Sequence, residues 1–308
     1  MEKPTIEKPS ILHLFTAAKN ASPFDVNMAY DAGFDKIMPY TGVELSEVAG
    51  LTQDAIFSRS PSGVKREGIF IGGRDIDLAM QMLHAARNSM FAPFACSVFA
   101  DPSGAFTTAA AMIAKVEAHL QARFGEDLHG KMLSVFGATG PVGGCAAIIA
   151  AKQGAKVQLV AHNSVTRVEA KAQFWSSEYQ IDLQAVDGST DVKKEEILAQ
   201  ADIVVCAAAA GVQVISLEQL THAKNLKIIA DVNAVAPNGV QGVDVSHDGV
   251  LVAGTGTYGI GALAIGQLKY ATQHQLLKQM LPLDQEKPKY LEFMAAFNLA
   301  RELSKKPA

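Results

Sequence analysis

Short apolar runs alternate with longer amphipathic stretches along this chain, and glycine or proline separates many of them. Residues 11–16 and 68–72 are apolar runs of the length typical of buried strands, whereas residues 75–90 carry apolar side chains at helical spacing. The same reading predicts a strand at 55–59 and a last helix over 290–304. Strands that alternate with helices predict an α/β protein with mainly parallel sheets.

The second half of the chain keeps this alternation and adds a glycine motif. An apolar run ends at the turn Gly137-Ala-Thr-Gly-Pro-Val-Gly143, and a run of small apolar residues with helical character follows it. Strand, glycine turn and helix form the context of a dinucleotide-binding turn, because a turn without side chains lets the backbone approach a pyrophosphate. Ala138 stands where the G-x-G-x-x-G form has its first glycine. We predict that the cofactor contacts this turn at Gly137, Ala138, Thr139, Gly140, Pro141 and Val142.

Five or six predicted strands in this half indicate a Rossmann-type, doubly wound parallel sheet. With 308 residues the chain is long enough for two domains, and turn residues at 125–130 mark the boundary. We therefore predict an N-terminal α/β domain over 1–127 and an NAD(P)-binding domain over 128–260. Residues 261–308 are predicted as helices that pack back on the first domain, since the second sheet is already complete.

Composition excludes several classes of protein. The net charge of −4 gives no reason to expect nucleic acid or an anionic membrane as partner. The start of the chain is too polar for a signal peptide, and no apolar run is long enough to span a bilayer. The three cysteines lack metal-site spacing, and neither HExxH nor G-x-S-x-G occurs. We expect a cytoplasmic protein with no metal.

The end of the second strand of a Rossmann sheet selects between NAD and NADP, because an acidic residue there holds the ribose 2′-OH. Here the sequence has no acid between His162 and Arg167. Ser164 and Arg167 could bind a 2′-phosphate, although Arg167 could equally be a solvated helix residue. His162 and Asn163 could serve a plain ribose. The segment favours NADP and permits NAD.

Other polar residues follow predicted strands. Asp231 and Asn233 could form a turn or contact the nicotinamide side, and Ala208 ends another strand near the cofactor. Thr107 or Thr108 could simply cap a helix, and Asp101 could cap it too, or its carboxylate could bind the N–H groups of a heterocycle. A lysine within an apolar, glycine-rich helix could simply extend to solvent; this residue is Lys269.

Seven segments together carry a specific resemblance: Ser22-Pro-Phe-Asp-Val26, Ala29-Tyr-Asp-Ala-Gly33, Phe70-Ile-Gly-Gly73, Asp101-Pro-Ser-Gly-Ala-Phe-Thr-Thr-Ala-Ala-Ala111, Gly140-Pro-Val-Gly143, Ile229-Ala-Asp-Val-Asn-Ala234 and Ala262-Leu-Ala-Ile-Gly-Gln-Leu-Lys269. From residue 11 to 300 the chain resembles the methylene-tetrahydromethanopterin dehydrogenases of methylotrophic bacteria, relatives of the methylene-tetrahydrofolate dehydrogenases.

The resemblance implies hydride transfer from the methylene bridge of a reduced pterin to NADP or NAD, giving the methenyl form in one-carbon metabolism and formaldehyde oxidation. It implies a pterin in a cleft between two domains, an active-site role for Lys269, and substrate contacts from Lys269, Asp101, Thr107 and Thr108. Relatives in this family associate as homo-oligomers.

The family has two branches, which differ in cofactor. One is strictly NADP-dependent, accepts tetrahydrofolate and tetrahydromethanopterin carriers, and has an Arg-Lys pair where this chain has His162 and Asn163. The other prefers tetrahydromethanopterin and accepts NAD or NADP, and we assign the chain to it. Two rivals remain: a shikimate-dehydrogenase-like ketone reductase, which would need Lys65 or Lys115 in a Lys/Asp pair, and a non-enzymatic NADP sensor.

Overall fold

The computed structural model describes residues 8–281 and 287–305. The chain divides into two compact units, Met1–Phe106 with Ala271–Ala296 and Thr107–Tyr270 with Phe297–Ala308. These boundaries differ from the sequence-based division at 127 and 260, which stays a prediction about domains. Part of the C-terminal segment, Ala271–Ala296, belongs to the first unit, and Phe297–Ala308 belongs to the second.

The elements of the first unit and of the helix that leads out of it are, in chain order, β1 (Ile11–Thr16), α1 (Pro23–Ala32), β2 (Lys36–Thr41), α2 (Val48–Phe57), α3 (Pro61–Val64), β3 (Glu67–Ile71), α4 (Ile76–Asn88), β4 (Ser97–Ala100) and α5 (Ala105–Phe124). The second half adds β5 (Met132–Phe136), α6 (Pro141–Lys152), β6 (Lys156–Ala161), α7 (Val165–Tyr179), β7 (Leu183–Asp187), α8 (Asp191–Gln200), β8 (Ile203–Cys206), α9 (Leu217–His222), β9 (Ile228–Asp231), β10 (Asp248–Leu251), β11 (Tyr258–Ile260), α10 (Ala262–Met280), β12 (Tyr290–Leu291) and α11 (Phe293–Ser304).

The first unit is built on a five-stranded sheet in the order β12-β4-β3-β1-β2, and every pair in it is parallel. Every residue of β3 and β4 is buried, as expected for central strands covered on both faces. Helix α1 has Pro23 at its first position and ends at Gly33, whose φ of 108° is the left-handed conformation of a helix C-cap. Parallel strands place their carboxyl ends at one edge of this sheet.

One strand prediction in the first unit is wrong, and the last helix begins later than predicted. Residues 55–57 of the strand predicted at 55–59 lie in α2. The buried residues of α2 are Val48, Thr52, Ala55 and Ile56, which is helical spacing, and the short apolar run at 55–57 is only the end of that stripe. The helix predicted over 290–304 is confirmed as α11, but it begins at Phe293, because Tyr290 and Leu291 pair with β4 as a two-residue edge strand.

The second unit is built on a seven-stranded sheet in the order β10-β11-β9-β8-β5-β6-β7. All of its strand pairs are parallel except β10 with β11, an antiparallel pair at one edge. The strand β11 lies within the glycine-rich stretch 253–261. The order β7-β6-β5-β8-β9 is that of a doubly wound Rossmann sheet, so the predicted fold class is confirmed.

Candidate functional site

The strand order of the second unit reverses between β5 and β8. From β5 the chain moves to β6 and β7 on one side, and it then returns to β8 and β9 on the other side. The two loops that leave the carboxyl ends of β5 and β8 therefore diverge, which opens the crevice where ligands of such sheets bind. The turn after β5 is the glycine motif predicted from the sequence.

Two glycines of this turn are required by the backbone around them. Gly137 has a φ of 78°, and a Cβ atom there would overlap the carbonyl oxygen of Ala207, which follows β8. A Cβ on Gly143 would overlap the carbonyl oxygen of Gly137. The turn is thus folded tightly on itself and against the neighbouring strand end, and it leaves its outer face to backbone groups. This is the geometry that a pyrophosphate needs.

Helix α6 begins directly after the turn. Gly140 is its N-cap residue, its φ of −76° and ψ of 161° are extended, and no side chain caps the first N–H groups. Thr139, Gly140 and Val142 are partly exposed and Pro141 is exposed, whereas Ala138 is buried at 1% exposure. Ala138 can therefore contribute only through its backbone. The open helix end is where an anion is stabilised by the helix dipole.

The segment after β6 is exposed. His162, Asn163, Ser164 and Arg167 all lie at the surface. Ser164 is the N-cap of α7 and accepts a hydrogen bond from the backbone N–H of Arg167 at 3.4 Å. Its hydroxyl therefore has a local structural role, while the side chains of His162 and Asn163 follow the strand end directly. Residues 162–167, which follow this strand, include no carboxylate.

Asp231 and Asn233 hold the loop after β9. Asp231 is buried and accepts from the backbone N–H groups of Asn233 and Val240, both at 3.0 Å. Burial raises the pKa of this carboxyl, and those backbone donors act in the opposite direction. Asn233 accepts from Val235 at 3.0 Å and donates to Pro237 at 3.1 Å. These contacts favour the turn-forming reading. Ala208, by contrast, follows Ala207 beside the glycine turn and is partly exposed there.

The carboxyl edge of the first unit's sheet brings three strand ends side by side. The N–H of Gly72 donates to Phe15 at 2.9 Å, and the N–H of Asp101 donates to Ile71 at 3.0 Å. Asp101 is fully buried, and its side chain does not cap the short turn that follows it. In that turn Ser103 has a φ of 53° and donates to the carbonyl of Gly73 at 2.7 Å. Such left-handed serines cluster at functional sites.

The remaining predicted substrate residues lie in helices of the second unit. Thr107, fully buried, and Thr108, partly buried, are the third and fourth residues of α5, so neither is its N-cap. Lys269 is partly buried in α10, and the residues one turn before and after it, Ile265 and Gln273, are buried. Lys269 therefore lies on the buried side of its helix.

The described residues contain no group of three or more His, Cys, Asp or Glu side chains that could hold a metal ion. All three cysteines are buried, and none of them forms a disulfide. Burial raises the pKa of the Cys96 and Cys206 thiols, so both are ordinary core residues. Within residues 8–281 and 287–305, no helix is both long enough and apolar enough to cross a bilayer.

Sequence reasoning missed two features of these edges. One is the close packing of Gly137 against the backbone of Ala207. The run of small residues after β8 is a sequence signal that could have indicated it. The glycine pair Gly72-Gly73 follows β3 beside Asp101. It lies in a segment that carries the family resemblance, but the sequence did not identify it as part of a site. A φ of 118° at Gly73 shows that the backbone needs glycine there.

Fold and turn together define an α/β protein with a Rossmann-type unit. A family model described as "Methylene-tetrahydromethanopterin dehydrogenase, N-terminal" matches residues 23–103. The NAD(P)-dependent methylenetetrahydromethanopterin dehydrogenase of Methylorubrum extorquens is 46% identical over 296 residues, which cover 96% of this chain and 99% of the relative. The chain belongs to the methylene-tetrahydromethanopterin dehydrogenase family, and the resemblance inferred from its sequence is confirmed.

More distant relatives mark the limits of the comparison. The "Bifunctional protein MdtA" of the same organism is 30% identical over 259 residues, 84% of this chain and 88% of the relative. Shikimate 5-dehydrogenase of Listeria monocytogenes has a TM-score of 0.54 at 15% identity, over 90% of this chain and 94% of that one. Ornithine carbamoyltransferase of Pyrococcus furiosus has a TM-score of 0.52 at 10% identity, over 90% and 86%. A reductase and a transferase share this fold, so the two structures show the fold alone.

Proposed function

We propose that this protein transfers a hydride from methylene-tetrahydromethanopterin to NADP or NAD and releases methenyl-tetrahydromethanopterin. The observation that carries the proposal is 46% identity, over 96% of the chain, to an enzyme named for this activity. The reaction needs no metal and no obligatory general base, because removal of a hydride from a carbon between two nitrogens leaves a stabilised cation. Positioning of the two reactants then accounts for most of the catalysis.

The residues after β5 fit a dinucleotide. The glycine turn has no room for a Cβ atom at Gly137 or Gly143. The start of α6 has no capping side chain and offers its N–H groups to a pyrophosphate. When bound, NADP or NAD supplies the hydride acceptor. We assign phosphate contacts to residues 137–142, and the ribose side to His162, Asn163, Ser164 and Arg167. Ala208 borders the same crevice, and Asp231 and Asn233 support it through their loop.

We assign the substrate to Asp101, Thr107, Thr108 and Lys269. Asp101 and Thr107 are fully buried polar side chains, and Lys269 lies on the buried side of α10. Polar groups in such positions are costly unless they serve structure or function. A lysine ammonium would oppose the cation that forms, so we give Lys269 an orienting role instead of a proton-transfer role.

The rival readings have less support. A shikimate-dehydrogenase-like reductase would need a Lys/Asp pair in the first domain, but Lys115 pairs at 2.6 Å with Asp248 of the second unit, and Lys65 is exposed. The fold likeness to that enzyme, at 15% identity, does not restore this reading. A nucleotide sensor would keep the glycine turn without needing the buried Asp101. The greater identity to the NAD(P)-dependent relative than to MdtA supports the dual-cofactor branch.

The assay that tests the proposal supplies methylene-tetrahydromethanopterin with NADP or with NAD and follows NAD(P)H absorbance. We expect turnover with both cofactors, and no turnover with either would refute the proposal. The same assay with methylene-tetrahydrofolate tests the strictly NADP-dependent alternative, which predicts activity with NADP only and with both carriers. A homo-oligomer and a cytoplasmic location are further parts of the proposal. Three buried cysteines without a disulfide suit a reducing compartment.

A further inference from the structure

The carboxyl edge of the second unit's sheet extends past the two strand ends to which the cofactor is assigned. From β5 the order runs to β6 and then to β7, the last strand on that side, and both pairs are parallel. Ala161, the last residue of β6, pairs with Asp187, the last residue of β7. Asp187 therefore stands one strand beyond the segment that begins at His162.

The loop after β7 is held against the end of β6. The backbone N–H of Gly188 donates to the carbonyl of Ala161 at 2.9 Å. Gly188 is buried, and a Cβ atom there would overlap the side chain of Val160. A larger residue could not bring the loop so close to β6. The position of Asp187 beside the end of β6 is therefore fixed by the backbone that follows it.

Two neighbours hold the carboxylate of Asp187 in place. Lys193, in the first turn of α8, donates to its Oδ2, and the backbone N–H of Ser189 donates to its Oδ1 at 2.9 Å. Hydrogen bonds from Lys193 and Ser189 keep the pKa of Asp187 below its ordinary value. The group is therefore ionised at neutral pH and can only accept hydrogen bonds. Its side chain is 34% exposed, so a ligand can reach it.

The order of groups in a dinucleotide indicates what lies over this strand end. The pyrophosphate is assigned to the turn after β5 and the adenosine ribose to the segment after β6. The base is joined to the side of the ribose away from the pyrophosphate, so the next strand along, β7, is the one that meets it. A phosphate does not suit this position, because Asp187 is anionic and compensates the charge of Lys193. The amino group at C6 of adenine does suit it, because a carboxylate accepts strong hydrogen bonds from N–H groups.

We propose that the carboxylate of Asp187 binds the adenine of NADP or NAD by accepting a hydrogen bond from its 6-amino group; this inference rests on the proposed function. Lys193 is a positioning residue, because it acts through that carboxylate. The contact is the same for both cofactors, since they differ only at the ribose 2′ position. Asp187 thus selects the base, whereas the residues after β6 select the 2′ group.

The test compares the Kd of NADP with that of nicotinamide hypoxanthine dinucleotide phosphate, in which an oxygen replaces the 6-amino group, by titration calorimetry. Wild type should bind NADP about tenfold more tightly, because that oxygen cannot donate to the carboxylate. In Asp187→Asn the amide can donate to the oxygen, so the preference for NADP should fall to about twofold or less. Asp182→Asn, the same change at the exposed position directly before β7, should keep the wild-type preference.

An unchanged preference in Asp187→Asn would overturn the inference, even if both nucleotides bound more weakly, because a purely structural role gives that outcome. So would a wild type that binds the two nucleotides equally. Lys193→Gln, which keeps the carboxylate but removes its cationic partner, is the second variant and decides if Asp187→Asn fails to fold. Its preference for NADP should fall to about threefold, and a wild-type preference would contradict the inference. A wild type that binds neither nucleotide would instead refute the cofactor of the proposed function, and this inference with it.

Discussion

The two units present their carboxyl edges in different ways. In the second unit the edge is made by backbone: Gly137 and Gly143 leave no room for a Cβ atom, and helix α6 begins without a capping side chain. In the first unit the edge is made by side chains from separate segments, with Asp25 and Asp101 buried beside the ends of β3 and β4. A backbone site suits the phosphates that all dinucleotides share, whereas a side-chain site suits recognition of one substrate.

The largest effect is expected from a change to the backbone-made edge. Gly137→Ala would place a methyl group on the Ala207 carbonyl at a φ of 78°, so the turn must open. We expect the Kd for NADP and NAD, measured by fluorescence titration, to rise by about a hundredfold or more. Gly256→Ala is the control, since a Cβ there meets no atom within 4 Å. Equal affinities in the two variants would show that the turn does not bind the cofactor.

The substrate residues should behave differently. Lys269→Ala should lower kcat/KM for methylene-tetrahydromethanopterin by about a hundredfold and leave cofactor affinity unchanged, because an orienting contact is lost. Steady-state kinetics with each reactant varied in turn separates the two effects. Lys278→Ala, an exposed lysine of the same helix, should behave as wild type. Wild-type kinetics for Lys269→Ala would remove this residue from the site.

A smaller effect should distinguish the two cofactors. Arg167 is exposed near the end of β6, where a 2′-phosphate is expected. Arg167→Ala should raise the KM for NADP by about tenfold and change the KM for NAD less than about twofold, because a surface charge contact of this kind is worth about 1.4 kcal/mol or less. An equal rise in the KM for NADP and the KM for NAD would show that Arg167 is a solvated helix residue that does not bind the 2′-phosphate.

The amino-terminal ends of the strands differ as well. Burial raises the pKa of Glu67, the first residue of β3, to about 7, although Arg59 at 2.8 Å and Lys8 act against this shift. In the second unit, Lys131 and Lys227 lower the pKa of the partly buried Glu126 by hydrogen bonding. At pH 4.5 to 7 the folded chain therefore keeps a proton on Glu67 that the unfolded chain has lost. The stability contributed by this proton is full below that window and is lost as pH rises to about 7.

The free energy of unfolding that Glu67 contributes, and that is lost as pH rises through this window, is about 3 kcal/mol by linkage. Glu67→Gln, whose amide does not titrate, should therefore melt at a higher temperature than wild type at pH 8 and show a weaker fall in melting temperature between pH 5 and pH 7.5. Calorimetric melts across that range provide the measurement. Glu126→Gln should retain the wild-type fall, since its shift has the opposite sign. A fall of equal size in Glu67→Gln would show that other groups are responsible.

The same contrast explains what the sequence could predict. The glycine turn occupies consecutive residues whose spacing reports directly on the backbone, so both the turn and the Rossmann sheet were predictable from it. Asp25 and Gln273 are 248 positions apart, and only the packing of α1 against the end of α10 brings them together. The prediction of a strand at 55–59 was wrong because a short apolar run shows neither helical nor strand periodicity. Tertiary packing made residues 55–57 the end of a helix.

The proposed activity of this chain is that of a methylene-tetrahydromethanopterin dehydrogenase that uses either nicotinamide cofactor. The most direct test is the initial rate of NAD(P)H formation by the purified protein with methylene-tetrahydromethanopterin, measured with NADP and with NAD. We expect turnover with both cofactors, and we expect the methenyl pterin to form in an amount equal to that of NAD(P)H. Absence of NAD(P)H formation with either cofactor would contradict it.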